Sequence, residues 1–145
     1  MAQIKASQRM QPLQTLADVR QDRAARDLVE AQRQHAEREA RLVELARYRQ
    51  DYEQQAVAPT PALLRNRHGF VERLREAERF QQQLVDQAAR VVDQSRAHWL
   101  AQQRGARTVA QLTARYLERE RREESRREQQ RLDEFATQRY LRLAD

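Results

Sequence analysis

The stretch Ala56-Val57-Ala58-Pro59-Thr60-Pro61 decides the fold. Two prolines two residues apart cannot sit inside a helix, because each lacks an N–H and crowds the turn before it. On either side, nothing else stops a helix. The 145 residues hold two Gly and three Pro, against 27 Arg, 22 Ala and 21 Gln, all good helix formers. Gly69 and Gly105 weaken the second segment by about 1 kcal/mol each without ending it. Pro12 suits the first turn of the first segment. The pattern predicts helix 1 from residue 3 or from Pro12 to about residue 55, a turn at 56–62, and helix 2 from about residue 63 to 138. So short a connection returns the chain antiparallel. The predicted fold is all-α: two long helices in one antiparallel coiled-coil hairpin over residues 1–145, helix 2 longer than helix 1.

Composition narrows the functions. Hydrophobic residues make up 39% and charged residues 34%, with mean hydropathy −1.07, so the chain cannot build a thick core. Sheet folds and Gly-rich nucleotide loops are excluded. Without cysteine there is no disulfide, zinc–thiolate site or thiol nucleophile. His35, His68 and His98 are dispersed, with no metal-ligand spacing. Ser7, Ser95 and Ser125 lie in no nucleophile motif. A thin hairpin has no pocket in which a carboxylate could shift its pKa. The expectation is a protein without enzyme activity, catalytic residue, metal, cofactor or small-molecule substrate. No stretch approaches 18 apolar residues, and the start, MAQIKASQRMQ, lacks the apolar core of a signal peptide. The expected compartment is the cytoplasm.

Helix 2 carries a 3.5-residue repeat. Steps of four and three lead from Phe70 through Leu74, Ala77, Gln81, Leu84, Ala88, Val91, Ser95, His98, Gln102, Gly105, Val109 and Leu112 to Tyr116, with Val71, Phe80, Val85, Val92 and Trp99 flanking. Helix 1 gives Leu28, Ala31, His35, Arg38, Leu42, Leu45, Arg49 and Tyr52, flanked by Ala36, Ala40, Val43 and Ala46. A bend near residue 61 pairs positions whose numbers sum to about 122. Tyr52 then meets Phe70, Tyr48 meets Leu74, Leu45 meets Ala77 and Arg41 meets Gln81. Helix 1 runs out of partner near residues 110–119. There the chain becomes most charged, Glu118-Arg119-Glu120-Arg121-Arg122-Glu123-Glu124. A helix without a partner is solvated all round and held by pairs such as Glu118–Arg122 and Glu123–Arg127.

Net charge is +6. Residues 1–55 carry 10 basic and 9 acidic side chains, residues 56–117 carry 10 and 5, and residues 118–145 carry 8 and 8. Interleaved acids read as solvated helix faces, not as a nucleic-acid groove, which shows basic runs with few acids. An arginine-rich coiled coil on nucleic acid or another anionic surface is the alternative function. A self-associating filament or tether is a third. The one-break pattern predicts a monomer when alone.

Leu45-Ala46-Arg47-Tyr48-Arg49-Gln50-Asp51-Tyr52-Glu53, then Asn66 and Phe70, Trp99, and Leu132-Asp133-Glu134-Phe135-Ala136 stand in a distinctive order. In these features, its MAQ start and its single loop, the chain resembles the flagellar export protein FliJ family, whose relatives include YscO-type stalk proteins of virulence-type secretion. The resemblance implies a hairpin like the γ stalk of rotary ATPases. It would work in the cytoplasm, at the inner-membrane export apparatus. The implied partners are the hexameric export ATPase (FliI-like), the cytoplasmic domain of the export gate protein (FlhA-like) and export chaperones. The implied gate-binding surface is Arg41, Leu45, Tyr48, Tyr52, Phe70, Leu74, Ala77 and Gln81. Arg41 stands where the family typically has Gln, and Gln81 where His can occur. On spacing alone these residues read as seam layers; the resemblance reads them as a binding surface.

Near the C-terminus Leu132, Phe135, Ala136, Tyr140 and Leu143 recur at three- and four-residue steps, an apolar face that nothing in the chain can cover. The resemblance assigns this stretch to the opening of the ATPase ring, with Glu118, Arg119, Arg122 and Arg126 on its inner wall and Leu132, Phe135 and Tyr140 inserted. The alternative is a frayed tail beyond Phe135.

Overall fold

A computed structural model describes residues 4–55 and 60–144. It contains two helices, α1 Ala6–Gln54 (49 residues) and α2 Pro61–Ala144 (84 residues), and no strand among the described residues. The fold is the antiparallel two-helix hairpin, with α2 the longer helix. Residues 56–59 of the expected turn, and Gln3 at the expected start of helix 1, lie outside the described residues.

The ends differ from the sequence reading for local reasons. α2 starts at Pro61, two residues earlier than expected. A proline at the first helical position loses nothing, since its missing N–H would have no partner there anyway. Thr60 caps it: its hydroxyl accepts the Leu63 N–H at 3.3 Å, and its carbonyl accepts the Leu64 N–H at 3.0 Å. α2 also continues six residues past residue 138, to Ala144. α1 begins at Ala6, which leaves Pro12 inside the helix rather than in its first turn. An interior proline costs about 3 kcal/mol. Contacts ahead of it offset that cost. The Lys5 carbonyl accepts from Gln8 and Arg9, the Gln8 side chain returns to the Lys5 N–H at 3.3 Å, and Met10 is buried.

The chain divides into two compact units, Asp22–Ala101, and Met1–Gln21 with Gln102–Asp145. In the first, α1 buries or half-buries Leu28, Ala31, His35, Arg38, Leu42, Leu45, Arg49 and Tyr52, the expected row, and Ala24 extends it by one layer. The α2 row differs from expectation at every second position. It runs Val71, Leu74, Glu78, Gln81, Val85, Ala88, Val92, Ser95 and Trp99. Leu74, Gln81, Ala88 and Ser95 were placed correctly, whereas the layers expected at Val91 and His98 fall one residue later. Val91 and His98 are exposed, and Phe70, Ala77 and Leu84 form a half-buried row beside the seam. Phe80, Ala36, Ala40 and Val43, expected as flanks, are exposed; Ala46 is half-buried. In the other unit the same repeat gives Gln102, Ala106, Val109, Thr113, Tyr116 and Glu120 on α2, where Gly105 and Leu112 had been expected. Ser7, Met10, Gln14, Ala17 and Gln21 provide its α1 side.

These seams are thin. Among the described residues no large side chain is fully buried, and Ala24 at 1% is the most enclosed apolar residue. Polar layers fix the register instead. Arg49 Nε donates to Glu78 at 2.6 Å and its Nη1 to Glu53 at 3.2 Å, while Arg75 bridges Glu53 (3.1 Å) and Glu72 (3.2 Å). Ion pairs at seam positions contribute more to register than to stability.

Candidate functional site

The Asp22–Ala101 unit holds the eight residues read as gate-binding, and their environments separate them. Tyr52, Leu74, Leu45 and Gln81 occupy the seam. Phe70 and Ala77 lie half-buried beside it, and Tyr48 and Arg41 are exposed. The rings form a cluster: Phe70 lies 4.7 Å from Tyr52 and 6.3 Å, edge-on, from Tyr48, centroid to centroid. The pairing of Tyr52 with Phe70 is the rung expected from the sequence. Gln81 is only 7% exposed, and its amide donates to the Arg38 carbonyl at 3.0 Å, so it is committed to packing. Even so, Arg41, Glu44, Leu45, Tyr48 and the edge of Gln81 line one surface groove. The set is therefore neither wholly seam nor wholly patch: Tyr48, at 54% exposure, and Arg41 present themselves, with Phe70 behind them.

Arg67 closes this unit in a way the sequence reading missed. Its guanidinium donates to the backbone carbonyls of Gln55 at 2.6 Å, Tyr52 at 3.0 Å and also Glu53. These carbonyls lie where α1 ends, the Tyr52 carbonyl also accepting the Gln55 N–H at 3.3 Å, and a cation there complements the helix dipole. Arg67 thus holds the start of α2 to the end of α1 and orients Tyr52 from its backbone side; its charge also sits 5.9 Å from the Tyr52 ring centroid.

In the other unit, the residues that the resemblance assigns to the ATPase, Glu118, Arg119, Arg122, Arg126, Leu132, Phe135 and Tyr140, are all exposed. Every described residue from 121 to 144 is exposed and helical. Glu118 pairs with Arg122 at 3.2 Å, as expected, and with Arg121 at 3.6 Å; the expected Glu123–Arg127 pair does not form among the described residues. The last hydrogen bonds between the helices among the described residues form a clasp. The Ser7 hydroxyl and N–H donate to the two carboxylate oxygens of Glu120 at 2.6 and 3.1 Å. These bonds to the charged form hold the Glu120 pKa below its ordinary 4.5, with Lys5 adding to the effect. An isolated Ser and Glu 113 residues apart do not announce such a pair in the sequence.

Among the described residues no helix is long and apolar enough to cross a membrane. Comparison with curated proteins and with solved structures finds no match. The family model described as "Flagellar FliJ protein" matches residues 6–144, nearly the whole chain. This extent of match joins the aromatic cluster, the thin antiparallel seam and the uncovered end of α2 into one conclusion: the chain belongs to the flagellar FliJ family and has a role in flagellar type III protein export.

Proposed function

We propose that the chain is a non-enzymatic stalk that couples the export ATPase ring to the export gate, at the cytoplasmic face of the inner membrane, and that it also receives export chaperones. The observation that carries this reading is the end of α2. A helix of 24 residues, 121–144, has solvent on every face, yet bears Leu132, Phe135, Tyr140 and Leu143 along one side. An apolar row of that length on a charged helix fits insertion into another protein. Mixed charge from Glu118 onward allows many weak contacts without one tight register, which suits a single stalk in a six-fold ring. The exposed Tyr48 ring of the other unit, with Phe70 behind it, fits the gate, because aromatic side chains bury large area at small entropic cost.

Truncation after Arg131 tests the assignment. The truncated chain should lose binding to and stimulation of the ATPase hexamer while its affinity for the gate domain stays unchanged. Equal stimulation by the truncated and full chains would overturn the ATPase end of the proposal. Salt-sensitive binding of random duplex DNA at physiological ionic strength would favour an anionic-surface role instead.

A further inference from the structure

Gly105 stands in the interior of α2 for no reason that the hairpin supplies. A glycine there weakens a helix relative to alanine. Close packing against α1 would justify it, but a Cβ built at Gly105 meets nothing within 4 Å. The position opens instead onto a groove of about 200 Å³ within the unit Met1–Gln21 and Gln102–Asp145. Leu13, Leu16 and Arg20 of α1 and Gly105 and Val109 of α2 are among its walls. Leu13 is 51% and Leu16 45% exposed, and Leu112, two turns after Gly105, is exposed as well. So small a groove holds one or two apolar side chains, not a small-molecule ligand. A glycine between exposed leucines makes a seat for a closely approaching partner.

The charges along this edge indicate what the partner carries. The edge consists of the residues that immediately precede seam positions: Ala6, Arg9, Leu13, Leu16 and Arg20 on α1, and Gly105, Thr108, Leu112, Arg115 and Arg119 on α2. It holds four arginines and no acid. Arg9, Arg20 and Arg115 form no ion pair among the described residues. Asp18 and Asp22 follow the seam residues Ala17 and Gln21, which puts them on the opposite edge of α1, and Asp18 accepts from Gln14 at 3.1 Å. Glu118 pairs with Arg121 and Arg122, and Glu120 accepts from Ser7. Arg9 shares its surroundings with Glu120, Glu123 and Glu124, so the positive excess centres on Arg20 and Arg115. Along α1 the first acid on this edge is Asp27, two turns past Arg20.

We propose that the notch at Gly105 seats an amphipathic helix of a partner protein, with one apolar side chain against Gly105 beside Leu13 and Leu16 and acidic side chains toward Arg20 and Arg115. The missing Cβ lets the partner's backbone come close, and its next apolar side chain, two turns along, meets Leu112. A second copy of this chain would bring the same arginines to the interface, and like charges would face each other. Leu13, Leu16, Arg20, Gly105, Leu112 and Arg115 lie outside both the gate-directed and the ATPase-directed sets, so the inference stands whether or not either of those is the partner.

The test uses the full chain and a fluorescent synthetic helix of about four heptads, with Leu at the two seam positions of each heptad and Glu at the flanking positions. A twin peptide carries Lys in place of Glu. Anisotropy should show binding of the acidic peptide and at least about tenfold weaker binding of the Lys twin. Gly105→Leu fills the notch and should bind the acidic peptide about tenfold or more weakly. Its helical circular dichroism should persist and its denaturation midpoint should equal or exceed that of wild type, since leucine is the better helix former and enters open space. Arg20→Glu with Arg115→Glu should bind the acidic peptide about tenfold or more weakly and the Lys twin more tightly. Ala110→Leu, at an exposed position on the opposite edge, should bind as wild type does. Absence of binding, equal binding of the two peptides, or undiminished binding by Gly105→Leu would overturn the proposal. A lower denaturation midpoint for Gly105→Leu would overturn it too, because α1 would then need that space itself. So would sedimentation showing that the chain self-associates and that Gly105→Leu abolishes the association, because the notch would then belong to a second copy.

Discussion

In the Asp22–Ala101 unit each helix has a partner, and contacts across the pair do the work: an aromatic cluster, a five-member ionic network and Arg67 on three carbonyls. In the other unit the clasp between Ser7 and Glu120 is the last hydrogen bond between the helices among the described residues, and from residue 121 onward every described residue of α2 is exposed. The same helix is thus held by two mechanisms. Where a partner exists, even an alanine-rich seam suffices because polar layers fix it in place. Where none exists, local pairs such as Glu118–Arg122 and high helix propensity must suffice, each pair contributing about 0.2–0.5 kcal/mol. The difference separates residues whose loss costs stability from residues whose loss costs only binding.

The sharpest way to break that division is in the unpartnered stretch. Leu132→Glu with Phe135→Glu should weaken ATPase binding by about a hundredfold, since two anchors of about 1.4 kcal/mol or more each are removed. The melting temperature should hardly change, because Leu132 is 58% and Phe135 64% exposed. A large drop in melting temperature with binding retained would mean that this end packs rather than docks.

The next contrast lies within the aromatic cluster. Tyr48→Ala should weaken gate binding by roughly tenfold or more with a stability change within about 0.5 kcal/mol. Tyr52→Ala, at a seam position against Phe70, should destabilise the chain by about 2–3 kcal/mol whatever it does to the gate. Chemical denaturation of both variants beside a gate-binding titration separates them. If both lose stability equally, Tyr48 is seam as well, and the exposed patch reduces to Arg41.

The division into two helices, the antiparallel pairing, the α1 row from Leu28 to Tyr52 and, to within a few residues, the place where α2 loses its partner were legible from the sequence. Each rests on a local signal: paired prolines, steps of four and three through Leu28, Ala31, Leu42, Leu45 and Tyr52, and the onset of a charge run at Glu118. The α2 row was half legible for a definite reason. Val71 and Phe70, Val85 and Leu84, and Val92 and Val91 are adjacent apolar pairs, and a 3.5-residue step fits either member. Trp99 and Ala106 beside His98 and Gly105 were the decisive hints, since a seam takes Trp and Ala before an open His or Gly. Of the site, the aromatic rung Tyr52–Phe70 could be read, whereas the burial of Gln81 could not, because a glutamine reads as a surface residue until the Arg38 carbonyl is placed beside it. Arg67 and the Ser7–Glu120 clasp involve contacts across the hairpin that spacing does not encode.

Gln81 sharpens the comparison from the seam side. Its amide bond is to a carbonyl that already accepts a helical N–H, so losing it orphans nothing essential. Gln81→Leu should therefore raise stability by about 1 kcal/mol, read as a higher denaturation midpoint. It should also loosen the register, because an apolar layer accepts neighbours that the amide does not. Loss of stability on that substitution would show that the Arg38 bond outweighs the gain in apolar packing.

The smallest expected effect is at the clasp, and its sign follows from linkage. Glu120 is held below its ordinary 4.5 in the folded chain because Ser7 donates twice to the charged carboxylate. A depressed pKa means that the contribution is fully present above 4.5 and is lost as pH falls through the lower folded value. At neutral pH the start of α1 should then be protected from hydrogen exchange, most visibly at the Arg9 and Met10 amides, and protection should fall on acidification. Ser7→Ala removes the hydroxyl bond but keeps the N–H bond, so protection at neutral pH should drop only part of the way. Glu120→Gln should remove most of the pH dependence, since no charge remains to titrate there. If exchange at these amides is equally fast in wild type and Glu120→Gln at neutral pH, the start of α1 frays regardless of the clasp, and α2 loses its partner earlier than Glu120.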